Sequence, residues 1–246
     1  MFSGQETFPV VYRGTKAQFS VKDAYSANFF GYYCQDGKTY EEAALNILHQ
    51  NLRPKDIFVD VGSNIGYFTC LLSHTVDKGK VFSFEMGREN FKILNKNIGI
   101  NRLGNVVTVN MAVSNEDGVE RCVDAPVGSA VLKIIEEQDT KTDRADLTDV
   151  KSVSLDSYFS SAGIIPDVIK IDVEGAEIKV LKGMERLLAL PDIKLLVEIH
   201  KKELKLFNSS EAEVRGILLK NGFNLQEMSN GERKYDLLFA TKNSNR

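Results

Sequence analysis

From Lys55 onward the chain alternates strand-length apolar runs with segments of helical period, and this alternation restricts the fold more than any other feature. The runs DIFVDV, KVFSFE, VVTVNMAV, PDVIKIDV and IKLLVEI are almost continuously apolar, as strands covered on both faces must be. Between them, GYFTCLLSHTV, RENFKILNKNIGI and GAEIKVLKGMERLLAL space their apolar residues three and four apart, the period of a helix with one buried face. Strand and helix in turn are the mark of βαβ units feeding a parallel sheet, so the pattern predicts an α/β fold with helices on both faces. The end of the chain departs from that rhythm. EAEVRGILLK reads as a helix stopped by Asn221-Gly222, and two strands follow, joined through Asn230-Gly231. An Asn-Gly between apolar runs predicts a hairpin and therefore an antiparallel last strand.

Residues 1–246 read as a single domain, with the alternating core over 55–246 and an N-terminal extension over 1–54. A helix is expected to begin near Thr39 to Glu42. The residues before it are rich in Phe and Tyr, and either lid a pocket or pack on the sheet domain. Residues 115–150 carry the polar run EEQDTKTDRADLTDV and are expected to form an exposed excursion, followed by a strand over VKSVSL.

Charge and composition exclude several partners. With 31 basic against 34 acidic residues the chain lacks a dominant nucleic-acid footprint. Its apolar runs fall far below the roughly 18 residues of a membrane span, and MFSGQETFPVVYRG lacks the basic start and apolar stretch of a secretory signal. Cys34, Cys70 and Cys122 are too scattered for a disulfide framework or a thiolate metal cluster, so a reducing, cytoplasmic location is expected.

FVDVGSNIGYFTCL places an acid, two glycines and an asparagine where a strand hands over to a helix. Ligands of parallel sheets bind beyond such carboxyl ends. Gly62 and Gly66 remove side chains where a ligand must approach the backbone, and Asn64 tolerates a left-handed conformation. Glu85, about 25 residues after Asp60, ends the next strand, where a carboxylate can accept both ribose hydroxyls of an adenosine ligand. The stretch Gly62-Ser63-Asn64-Ile65-Gly66 lacks the middle glycine that admits a pyrophosphate, and Asp60 would repel one. A sulfonium or ammonium would instead be attracted. S-adenosylmethionine is therefore preferred, with an NAD-dependent oxidoreductase or a non-catalytic donor-binding scaffold as alternatives.

KIDVEGAE supplies further acids. If the strand persists, Asp172 and Glu174 share a face, whereas Glu177 belongs to the next helix as an acid at its N-terminal dipole. LLVEIH puts Glu198 and His200 on one face of the neighbouring strand. Asp172, Glu198 and His200 thus form the candidate catalytic set, able to orient an acceptor and take its proton. The same donors suit a divalent cation, and their spacing decides nothing between the two; metal-free base catalysis is the expectation. His49 and His74 fall on expected helices and read as structural.

FVDVGSNIGYFTCLLS, VFSFEMGRENFKILNKNIGIN, VSLDSYF and PDVIKIDVEGAEIKVLKGM, closing with LLVEIH, together resemble the FkbM-type family of S-adenosylmethionine-dependent methyltransferases over about Tyr40 to His200. The resemblance implies a class I methyltransferase fold, a Rossmann-like, mostly parallel seven-stranded sheet with an antiparallel C-terminal strand. It also implies O-methylation of a small-molecule or glycan acceptor. Carried over by position, Asp60, Gly62, Asn64 and Gly66 match the donor loop and Glu85 the ribose acid. Met86 is expected to stack on adenine, Ala112 and Val113 to meet its edge, and Glu41 or Glu42 to approach the donor's amino-acid end. Ser63 stands where the family usually has Ala, and Met86 where Pro is common; both positions contribute mainly backbone.

Overall fold

The structure, a computed structural model, describes residues 4–123, 133–134, 147–228 and 236–242. A hairpin of β1 (Thr7–Tyr12) and β2 (Thr15–Ser20) leads into α1 (Ala24–Tyr33) and α2 (Glu42–Asn51). The alternating core follows: β3 (Ile57–Val61), α3 (Tyr67–Leu72), β4 (Lys80–Phe84), α4 (Arg88–Asn101) and β5 (Val106–Val109). Short strands β6 (Ala112–Val113), β7 (Gly118–Val123), β8 (Lys133–Ile134) and β9 (Leu147–Val153) form a separate sheet. Then come α5 (Leu155–Ala162), β10 (Val168–Ile171), α6 (Glu177–Lys182), α7 (Glu185–Leu188), β11 (Lys194–Ile199), α8 (Lys201–Leu204), α9 (Glu211–Lys220), β12 (Phe223–Met228) and β13 (Asp236–Lys242).

The main sheet has seven strands in the order β12-β13-β11-β10-β3-β4-β5. β11, β10, β3, β4 and β5 run parallel, and β13 enters antiparallel between β11 and β12. The antiparallel last strand is as expected; the Asn230-Gly231 connection lies outside the described residues, as does most of the polar run 136–150.

Alternation along each strand splits the core in two. Val59, Val61, Phe82, Phe84, Ile169, Ile171, Leu195 and Val197 pack with α5, α6, α7 and α9 on one face. Phe58, Val81, Val168 and Leu196 point the other way, toward α1, α2 and α3. The aromatic N-terminal stretch belongs to this second layer, with Phe19 and Phe30 fully buried and their tilted rings 4.8 Å apart between centroids. Asn97 on α4 ties the layer down: its side chain accepts from Ser20 N (2.8 Å) and donates to Ile65 O (2.8 Å). Asn97→Ala leaves those buried backbone groups unpaired, and denaturant unfolding should show a loss of about 1–3 kcal/mol.

Four details differ from the sequence reading. VVTVNMAV is two strands, because the Asn110 side chain, not a continuing ladder, takes the carbonyls of Glu85 and Met86 (2.8 and 3.1 Å), and Ala112–Val113 turns away to pair with β9. GAEIKVLKGMERLLAL breaks at Gly183, whose missing side chain lets Ser114 O approach to 2.0 Å of where a Cβ would stand. β10 stops at Ile171, since Glu174 (φ 52°) and Gly175 (φ 108°) turn the chain, so Asp172 and Glu174 do not share a strand face. His74 lies exposed in the turn after α3 instead of on the helix.

Candidate active site

β3 and β10 are neighbours in the sheet, yet β3 leads through α3 to one side and β10 through α6 and α7 to the other. Their carboxyl ends are therefore the topological switch point, where open α/β sheets leave a crevice. Here the two backbones almost touch: Asp172 N donates to Val61 O (3.0 Å), and a Cβ on Gly62 would stand 1.8 Å from Asp172 O. Gly62 (φ 79°), Asn64 (φ 51°) and Gly66 (φ 83°) are all left-handed, as the loop chemistry requires. Both Gly62 N and Ser63 N donate to Phe84 O (3.0 Å each), pinning the loop to β4.

A cavity of about 100 Å³, partly open to solvent, lies above this junction. Gly62, Asn64, Glu85, Met86, Ala112 and Val113 line it, joined by Asp172 and Glu174 and by the apolar Val61, Phe84, Met111, Val173 and Ala176. Glu85 accepts from Asn64 N (2.8 Å) and Gly87 N (2.7 Å), and burial pushes its carboxyl up to about 7 against those two bonds. Ser63 and Gly66 are not in the lining. They hold the loop from below, Ser63 by bonding Phe84 O and Gly66 by giving room to Leu94, 2.6 Å from a would-be Cβ.

Asp60 is not in the lining either. It is fully buried on the α3 face of β3, accepts from Thr69 Oγ1 (2.7 Å) and lies 3.8 Å from Lys170 Nζ. Burial pushes its carboxyl up, with Lys170 and Thr69 opposing. Lys170 is Asp60's register partner on β10 and also donates to Asp172 Oδ2 (2.9 Å). Burial alone would depress its ammonium, but Asp172 and Asp60 outweigh that and hold it above the ordinary range. Lys170 thus links the acid under the loop to the acid in the cavity. The sequence reading passed over it, although a lysine inside a doubly covered strand calls for a buried acid.

Asp172, Glu198 and His200 do come together, with one potential donor atom from each lying within 4.8 Å of the others. His200 Nε2 is 3.5 Å from Glu198 Oε1, 3.8 Å from Asp172 Oδ1 and 3.9 Å from Glu174 Oε2. Its Nδ1 donates to Glu177 Oε1 at 2.8 Å. Glu177, expected to be only a helix-end acid, is completely buried and orients the imidazole. Burial disfavours the imidazolium, but bonds to Glu177 and Glu198 and the charge of Asp172 prevail and push His200 up to about 11. Glu198 is raised by its own burial and by Asp172, with His200 opposing. Glu41, buried at the start of α2, acts electrostatically on Glu198 and Lys170, whereas Glu42 is exposed. Tyr25 on α1 was also missed; its hydroxyl accepts from Asn64 Nδ2 (2.8 Å) and brings the N-terminal layer to the rim of the cavity.

S-adenosylmethionine fits this lining. The apolar side chains offer a slot for a purine, Glu85 an acceptor for hydroxyls, and Asp172 and Glu174 negative charge for a sulfonium.

The family profile described as Methyltransferase FkbM domain matches residues 60–225. The hexuronic acid methyltransferase AglP of Haloferax volcanii is 30% identical over 161 residues, 65% of this chain. The chain spans 62% of the length of that relative. Among solved structures, a methyltransferase FkbM from Methylobacillus flagellatus KT superposes with a TM-score of 0.53 at 17% identity, over 77% of this chain and 44% of that one. The M. jannaschii TYW2 complex with AdoMet gives 0.50 at 13% identity, over 98% and 87%. At such identities these structures speak for the fold, a class I methyltransferase sheet. Among the described residues, no helix is long and apolar enough to cross a membrane.

Proposed function

The chain belongs to the FkbM methyltransferase family, and from that premise we propose that it moves the methyl group of S-adenosylmethionine to a hydroxyl of a small molecule or sugar. One observation carries the reading: the cavity at the switch point is lined by Glu85 and apolar residues together with Asp172 and Glu174. The donor supplies an electrophilic methyl on a positively charged sulfur. Gly62 and Asn64 offer close backbone approach, and Met86, Ala112 and Val113 flank the purine slot. Glu85 receives the ribose hydroxyls. Methyl transfer is mainly a matter of alignment, so a rigid seat and a proton acceptor are the chain's principal contributions. Asp172, which lines the cavity and has Glu198 and His200 behind it, orients the acceptor hydroxyl and takes its proton. His200, held by Glu177, sits between Glu198 and Asp172 and positions their carboxyls. Family membership speaks against the nicotinamide alternative.

Calorimetric titration with S-adenosylmethionine tests donor binding, and a product assay with sugars, uronic acids and other hydroxylated acceptors tests transfer. No binding at millimolar donor would end the proposal. Glu85→Ala is expected to weaken donor binding about 10- to 100-fold, the loss of hydrogen bonds to a charged group. The uronic acids are in the panel because one relative is a hexuronic acid methyltransferase.

A further inference from the structure

We propose that Asp172, Glu198 and His200 form a binding site for one divalent transition-metal ion of the Mn²⁺ or Zn²⁺ type, beside the cavity that Asp172 lines. The inference extends the methyltransferase reading by giving that pocket a Lewis acid. The geometry points to it in three ways.

The first is the state of His200. Glu177 is wholly buried and takes the Nδ1 proton at 2.8 Å, so the opposite nitrogen, Nε2, is the one presented to the cluster. A carboxylate that bonds one ring nitrogen and turns the other toward the ligand set is the usual outer-shell arrangement of a metal-bound histidine, whose ligating nitrogen gives up its proton as the ion binds. The second is the spacing. Nε2 lies 3.5 Å from Glu198 Oε1 and 3.8 Å from Asp172 Oδ1, longer than good hydrogen bonds. Ligand atoms at about 2.0–2.2 Å from a shared ion stand roughly 3.0–3.6 Å apart, and the three donor atoms, all within 4.8 Å of one another, reach that spacing by drawing in around an ion. The third is Glu198 itself, only 4% exposed, whose Oε2 has no hydrogen-bond partner among the described residues. A buried carboxylate oxygen left without a donor is costly unless something else meets its charge.

The donor set also selects the ion. Two carboxylates neutralise a divalent charge, and one imidazole nitrogen favours transition metals over Mg²⁺ or Ca²⁺. Three protein ligands leave coordination positions open, as a site that acts on a substrate needs. An acceptor hydroxyl bound there would lose its proton more readily, and Asp172 would then serve as ligand as well as orienting group.

The test uses the full chain, stripped of metal by chelation, titrated with MnCl₂ and separately ZnCl₂ by calorimetry and, for Mn²⁺, by electron paramagnetic resonance. The expected result is saturable binding of one ion per chain. Glu198→Gln and Asp172→Asn should each weaken it at least about tenfold, and Glu177→Gln, which removes the charge that His200 Nδ1 bonds, by about 10- to 100-fold. Asp172 is partly exposed, so its variant keeps the test open if a substitution at buried Glu198 or Glu177 prevents folding, which circular dichroism will report. No saturable binding by the parent chain, or binding unchanged in Asp172→Asn and Glu198→Gln, overturns the proposal. Titration with S-adenosylmethionine on the same samples separates the two readings: donor binding without metal binding sinks this inference alone, and metal binding without donor binding sinks the methyltransferase reading alone.

Discussion

Lys170→Met is expected to lower the free energy of unfolding by about 3–5 kcal/mol, the scale on which removing one partner of a buried ion pair destabilises a fold. The side chains of Lys170 and Asp60 are 3% and 1% exposed, so solvent screens neither. Without the ammonium, Asp60 keeps the hydroxyl of Thr69 and loses its nearest cation. Methionine fills a similar volume and retains contact with Phe68, over whose ring the Lys170 ammonium lies at 4.7 Å, so the loss reports charge more than packing. The sign with pH follows. Burial already raises Asp60's carboxyl above its unfolded value, and losing Lys170 raises it further. The variant's deficit from Asp60 therefore sets in as pH rises through the parent's folded value and grows toward the variant's still higher one. Urea unfolding at pH 5 and pH 8 should show the larger deficit at pH 8, and adding Asp60→Asn should recover part of it. An equal loss at both pH values would place the effect in packing.

Much of this was legible in the chain because the central strands are buried on both faces. Ile57–Val61 and Lys80–Phe84 admit almost no polar residue that does not have a purpose, so Asp60 inside the first and Glu85 directly after the second stand out, and the glycines between them announce a turn. The same logic applied to Lys170, yet its partner is more than 100 positions away and is identified only by the parallel register of β3 and β10. Long-range contact also explains the reading of Asp60. Alternation places it opposite Val59 and Val61, on the helix side of β3, so it shapes the loop from beneath and never reaches the cavity. Glu177 reads as a helix-end acid because helical position is all that the sequence shows of it. Its bond to His200 depends on how α6 is set against the end of β11. The split of VVTVNMAV was hidden for a related reason: apolar content is continuous across Asn110, and only the carbonyls at the end of β4 give that side chain its purpose.

Gly62→Ala joins the fold and the site in one substitution, and it is expected to abolish measurable donor binding, by at least about 100-fold, while costing about 2–5 kcal/mol of stability. The residue adopts φ 79°, where an L side chain is strained, and its Cβ would fall 1.8 Å from Asp172 O and 2.9 Å from Asp172 C. These are backbone atoms, so no rotamer change relieves the clash. Nor can the loop yield easily, since Gly62 N and Ser63 N both donate to Phe84 O. Relief must come from displacing Asp172, which carries with it the carboxyl that faces the cavity and the bond to Lys170. Donor seat and acceptor-orienting group would be lost together. Gly99→Ala is the matched control: it lies in α4 with nothing within 4 Å of its would-be Cβ, and should leave donor affinity unchanged while gaining about 0.5–1 kcal/mol. Calorimetry and denaturant unfolding on the pair would decide. Normal donor affinity in Gly62→Ala would mean that the crossing of β3 and β10 is not where the ligand sits.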